Sequence, residues 1–173
     1  MKKVILLAFM VPCLASGQNT EYPGFRGDLS LIGETKAGSG IKGPRPGDVI
    51  ITEIMADPSP AVSLPSKEYL EIHNRSLIPF NLRGWMLSDG NAKCYFPERI
   101  IYPGDYFIVC QVQDTGLFRG YGKTMGVKSF PALTDAGKLL YITDQEHNLV
   151  HGVEYSPDWY GDVMKDGADG RSK

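Results

Sequence analysis

Histidine and cysteine are scarce in this chain, three of each, and no run of Lys or Arg exceeds the pair Lys2-Lys3. The net charge of −2 and the pI near 5.9 add to that second lack. Proteins that grip nucleic acid cluster their cations to displace counterions from phosphate, so a dedicated nucleic-acid binder is excluded. Nucleophile and zinc-protease motifs are missing too: there is no Gly-x-Ser-x-Gly, no His-Glu-x-x-His and no Gly-rich phosphate loop before a helix. No window holds a clean apolar stripe of period 3.6, which removes long amphipathic helices from the reading. The longest apolar run, near the N-terminus, is too short to cross a bilayer core of about 30 Å, so no transmembrane anchor is expected.

What is present is glycine, proline and short β-rich runs. Twenty Gly and twelve Pro make a turn-rich chain. At the start, Lys2 and Lys3 precede the apolar stretch Val4–Leu14, and Ala15-Ser16-Gly17 supplies small residues. Residues 1–17 therefore read as an export signal with cleavage near Gly17/Gln18, which implies a secreted, cell-surface or periplasmic protein. The competing reading is a buried N-terminal strand or helix. Cys13 lacks the Leu-small-small lead-in of a lipid anchor, and no such anchor is expected. Residues 18–47 hold seven Gly and three Pro and read as a leader or linker. Within it only Leu29–Ile32 is apolar enough to dock as a short edge strand.

From Asp48 the texture changes, and residues 48–173 read as one domain. Val49–Met55, Glu68–Asn74, Phe80–Leu87, Lys93–Phe96, Tyr106–Val112, Lys138–Thr143 and Leu149–Tyr155 are short, turn-bounded runs of β-branched and aromatic residues. About seven strands in roughly 110 residues predict an all-β sandwich. Pro103-Gly104 and Gln145–Asn148 read as turns, the second closing a hairpin.

Four blocks in order then carry a resemblance. They are Ile51-Thr52-Glu53-Ile54-Met55 with Asp57-Pro58, and Lys67-Glu68-Tyr69-Leu70-Glu71-Ile72-His73-Asn74. Leu82-Arg83-Gly84-Trp85-Met86-Leu87-Ser88-Asp89 follows, and then Tyr95-Phe96-Pro97 with Tyr102-Pro103-Gly104-Asp105-Tyr106-Phe107-Ile108-Val109. Between about Gly47 and Tyr155 the chain resembles the lamin tail domain, in the type found in secreted bacterial proteins. The resemblance implies an immunoglobulin-like β-sandwich. It predicts architecture and says little about chemistry. Two departures stand out: His73 replaces an aromatic or apolar residue, and Gly170-Arg171-Ser172-Lys173 stops where the family begins a last strand. The sandwich is thus expected to lack its closing strand, leaving an open edge able to pair with another chain.

The same residues have physical roles of their own. Gly84 is read as making room for the Trp85 indole, Trp85 as a core anchor, and Asn74 as tying a strand end to the following turn.

Candidate sites weigh out weakly, and no catalytic, cofactor-binding or metal-binding residue is assigned. His147 and His151 lie on a hairpin, where four residues span about 13 Å, too far to share one zinc ion. Glu53, Asp57, Glu68 and Glu71 fall on neighbouring strands but lack the spacing of a calcium loop, as do Asp162, Asp166 and Asp169. Arg26-Gly27-Asp28 is an integrin-type tripeptide, of a kind that recurs by chance. A hairpin around Ile101–Gly104 would place Cys94 opposite Cys110, where an oxidising compartment permits a disulfide; two separate buried thiols are the other reading, and the sequence does not decide between them. Tyr155–Tyr160, with Trp159, is either an exposed recognition surface or packing beneath the C-terminal loop. The expectation is a non-catalytic interaction or spacer module without cofactors. Its partner would be a protein, a cell-surface polysaccharide or a second copy pairing through the open edge. The alternative is an N-terminal accessory domain of a larger extracellular hydrolase or nuclease.

Overall fold

The computed structural model describes residues 3–6, 43–58 and 64–156. Strands dominate them. A five-stranded sheet has the order β1-β2-β3-β8-β9 and a four-stranded sheet the order β11-β10-β5-β6; β4 and β7 form a small third sheet. The ranges are β1 Lys3–Leu6, β2 Val49–Asp57, β3 Tyr69–Asn74, β4 Phe80–Asn81, β5 Met86–Ser88 and β6 Lys93–Tyr95. They continue with β7 Ile100–Ile101, β8 Tyr106–Gln111, β9 Thr124–Val127, β10 Lys138–Thr143 and β11 Leu149–Tyr155. The all-β, immunoglobulin-like sandwich expected from the sequence is what the chain adopts.

The core lies between the two larger sheets, because alternate residues of each strand point the same way. Ile51, Ile54, Leu70, Ile72 and Val109 come from one sheet and meet Leu87, Leu140, Ile142, Val150 and Val153 from the other. Trp85 anchors this layer, 3 % exposed and 5.7 Å from the Phe80 ring centroid. Its role is as expected. At Gly84 a β-carbon would come no closer than 3.7 Å to any residue beyond its two chain neighbours, while φ is +77°. Glycine is needed there for the left-handed turn. That turn splits the predicted strand Phe80–Leu87 into β4 and β5, which join different sheets.

Turn chemistry fixes the remaining corners. Asn74 is fully buried; its Oδ1 accepts from Ser76 N at 2.9 Å, and its Nδ2 donates to the carbonyls of Ile78 at 2.8 Å and Ile101 at 3.0 Å. The predicted β10–β11 hairpin forms, and Asp144 organises its loop by accepting from Glu146 N at 2.9 Å and Asn148 N at 2.8 Å. His147 takes φ +65° there, a conformation that only a few residue types tolerate.

β9 was not expected. It runs parallel to β8, and parallel neighbours need a crossover. Here the crossover carries a 3-10 turn, Val112–Asp114, and the one-turn helix α1, Thr115–Phe118. Four helical residues give no periodic signal. The helix lies over the outer face of the five-stranded sheet, where Phe118 joins Met55, Tyr69, Ile108 and Cys110 in a second apolar cluster. Phe118 meets Tyr69 edge-on at 5.1 Å. Gly126 permits the close approach, since a β-carbon there would lie 2.5 Å from Thr115 Cγ2 and 2.8 Å from the Val112 Cα.

Candidate interaction surface

β2 is the longest strand, nine residues rich in Val and Ile, and it sits between β1 and β3. Its inner edge pairs antiparallel with β3 from Val49↔Asn74 to Met55↔Tyr69. The register slips between Ile51 and Glu53, so Thr52 has no partner in the ladder and acts as a bulge. On the outer edge Lys3–Leu6 pairs antiparallel with Glu53–Asp57, placing Leu6 opposite Glu53, Ile5 opposite Ile54 and Val4 opposite Met55. This N-terminal segment belongs to the same compact unit as the strands after Pro44. The residues read from sequence as an export signal thus include a strand in this chain.

The outer face beside this edge is polar. Glu53 and Glu71 stand directly opposite each other on β2 and β3, an unfavourable arrangement for two carboxylates. Two hydroxyls relieve it: Tyr69 donates to the Glu53 carboxylate, and Thr52 donates to Glu71 Oε1 at 2.8 Å. Burial, and after it the nearby Glu53 charge, raises the Glu71 carboxyl above its ordinary range. The Tyr69 phenol is raised too, by burial first and then by its bond to Glu53. Farther along the same face His73 stacks on Tyr106 at 4.0 Å, while its Nδ1 lies 3.1 Å from the Asp105 carbonyl oxygen. Lys123 bonds Asp105 Oδ1 at 2.5 Å. These contacts consume the polar groups in holding the face together.

A shallow cleft of about 380 Å³ opens between α1, β9 and the loop before β7, with Arg99 and Arg119 among its walls. Thr115 and Thr124 also line it, yet their hydroxyls donate to the carbonyls of Val112 at 3.0 Å and Gly122 at 3.1 Å. The Arg99 and Arg119 side chains are exposed, and Arg99 Nη1 donates to the Glu98 carbonyl at 2.9 Å.

The residues singled out in the sequence fall as follows. Glu53 and Glu71 meet, Asp57 ends β2, and Glu68 turns away to accept from Leu133 N at 2.9 Å. Burial raises the Glu68 carboxyl despite that bond. His147 lies in the hairpin turn and His151 on β11; burial first, and Arg75 second, lowers the His151 pKa. The disulfide is contradicted. Cys94, paired with Leu87 on the four-stranded sheet, points into the shared core, and both cysteines are free. Cys110 points to the opposite side of the other sheet, under Phe118. The expected hairpin fails because the strand before Pro103 is β7, which pairs with β4, while β8 pairs with β3. Burial pushes the Cys94 thiol up to about 12 and Cys110 to about 11. Tyr155, the first aromatic of the predicted recognition stretch, is 1 % exposed and belongs to the core. Its hydroxyl accepts from Thr134 N and donates to Thr134 O, both at 3.0 Å. Trp159 and Tyr160, Arg26-Gly27-Asp28, Leu29–Ile32, the aspartates at 162, 166 and 169, and the place of the closing strand lie outside the described residues. Among the described residues no three His, Cys, Asp or Glu side chains gather as metal ligands.

A family model described as Lamin Tail Domain matches residues 43–157, more than half of the chain. No curated protein matches it.

Proposed function

The chain belongs to the Lamin Tail Domain family, and on that premise we propose that it is a non-catalytic interaction or spacer module of an exported protein. The family is immunoglobulin-like and of an interaction type. Among the described residues no helix is long and apolar enough to cross a membrane. In this reading residues 1–17 direct export and are removed near Gly17/Gln18, and residues 18–47 tether the domain that follows. The product is secreted, on the cell surface or in the periplasm, and its partner is a protein or a cell-surface polysaccharide.

One observation supports an interaction role above the others. The outer edge of β2 is paired with Lys3–Leu6, residues that export would remove. A sheet whose edge is exposed by processing presents unpaired backbone groups to other chains. Intact-mass measurement of the exported product tests the premise: a chain beginning at Gln18 is expected. A product that retains Met1–Gly17 contradicts it.

A further inference from the structure

We infer that the outer edge of β2 is a strand-acceptor site, filled in the processed protein by an extended segment of another polypeptide running antiparallel to β2, with an apolar residue opposite Ile54 and a basic residue opposite Glu53. This rests on the reading that residues 1–17 are removed, and it adds the chemistry of the partner.

The backbone supplies the first half of the argument. The edge from Glu53 to Asp57 already accepts a strand, Lys3–Leu6, in antiparallel register. Removing that strand strips hydrogen-bond partners from every second N–H and C=O along the segment. β-Strand addition restores them, and its affinity comes from main-chain bonds common to any extended peptide. Selectivity must then come from the side chains.

Residues directly opposite each other in an antiparallel pair point to the same face, so β2 dictates what each position of the incoming strand meets. Ile54 is fully buried in the layer between the sheets, and the residue opposite it borders that layer and must be apolar. Met55, 1 % exposed, lies on the outer face among Tyr69 and Phe118, so the residue opposite it also profits from an apolar side chain. Glu53 shares its row with Glu71, two carboxylates in register. A third residue in that row faces a doubled negative charge, and Lys or Arg there relieves a repulsion that Tyr69 and Thr52 only partly offset. Read from N- to C-terminus, the preferred strand is apolar, apolar, basic against Met55, Ile54 and Glu53. The chain's own segment places Val4, Ile5 and Leu6 at those positions, so it meets the first two demands and misses the third.

The probes are synthetic peptides with the sequence of Lys2–Leu7, presented to the chain beginning at Gln18 and to the chain that retains residues 1–17. Fluorescence anisotropy is expected to show saturable binding to the first chain and none to the second. Leu6→Arg in the peptide is expected to tighten binding by up to about fivefold, and Glu53→Gln in the protein to abolish that preference. Ile5→Asp in the peptide is expected to eliminate binding. Equal binding to both chains, or by the Ile5→Asp peptide, overturns the site; an unchanged affinity for the Leu6→Arg peptide overturns the basic position. If the shortened chain is unfolded alone, the peptide is expected to restore the near-ultraviolet signal of buried Trp85, and no recovery overturns the proposal. Because the chain from Gln18 is made directly, these results are independent of the mass measurement on export.

Discussion

The two large sheets bury their strands differently. In the four-stranded sheet one face meets the core and the other carries exposed groups, so along β11 Val153 and Tyr155 are buried while Gly152 and Glu154 are exposed, and the phase changes at Val150, where the register with β10 slips. In the five-stranded sheet Phe107, Ile108, Val109 and Cys110 are buried in succession, because α1 covers the outer face at that end. A one-turn helix has thus turned half of an ordinary sheet face into a second small core. The other half, around Glu53 and Glu71, keeps its polar groups and borders the β2 edge. The sheet that is more deeply covered is also the one whose edge is proposed to receive a partner.

The largest expected effects test whether the two apolar clusters are separable. Trp85→Ala, in the layer shared by both sheets, is expected to cost about 3–5 kcal/mol and to bring the whole transition down in urea. Phe118→Ala is expected to fall at the lower end of that range and to open only the outer cluster. Thiol labelling separates the two outcomes. In the native protein neither Cys94 nor Cys110 is expected to react at neutral pH, since burial keeps both as thiols. Phe118→Ala is expected to expose Cys110 to iodoacetamide while Cys94 stays protected. Labelling of both together would mean that the clusters melt as one.

A smaller effect belongs to the four-stranded sheet. Asp89 accepts from Lys138 Nζ at 2.7 Å, and its carboxylate also holds the backbone N–H groups of Asn91 and Ala92. The Lys138 ammonium, helped by these amides, lowers the Asp89 pKa to about 2. A carboxyl whose folded pKa lies below its unfolded value stabilises the fold fully above about pH 4, and that contribution is lost as pH falls through the folded pKa. Asp89→Asn is expected to cost about 1–2 kcal/mol at pH 7 and to flatten the acid limb between pH 4 and pH 2. Urea midpoints across that range measure it; an unchanged limb would remove the ion pair from the account.

The same contrast explains what the sequence disclosed. β10 and β11 were legible because they are short, turn-bounded runs rich in β-forming residues, and because the loop around Asp144 and Asn148 has turn chemistry. β3, with Leu70 and Ile72 inward, was equally plain. β9 and α1 escaped, since Thr124–Val127 contains a glycine required by the helix packed on it, and that helix is too short to show a period. The disulfide failed for a related reason. Pairing Cys94 with Cys110 assumed that adjacent strands form a hairpin, whereas β7 and β8 part into different sheets after the Gly104 turn. The polar row of Glu53 and Glu71 was visible as two carboxylates on neighbouring strands. Their direct opposition depends on the Thr52 bulge, which shifts every later residue of β2 by one and left no mark in the pattern. The outer edge of β2 carried no signal of its own in the sequence; that Lys3–Leu6 pairs there is a matter of tertiary structure.

The state of the β2 edge is tested most directly by amide hydrogen exchange, comparing the chain that retains residues 1–17 with the chain that begins at Gln18. Amides between Glu53 and Asp57 whose N–H groups face the outer edge are expected to be protected in the first and to exchange rapidly in the second. Those of Leu70 and Ile72 on β3 are expected to stay protected in both. Equal protection of residues 53–57 in the two chains would show that the edge never depended on the N-terminal strand, and would contradict the account.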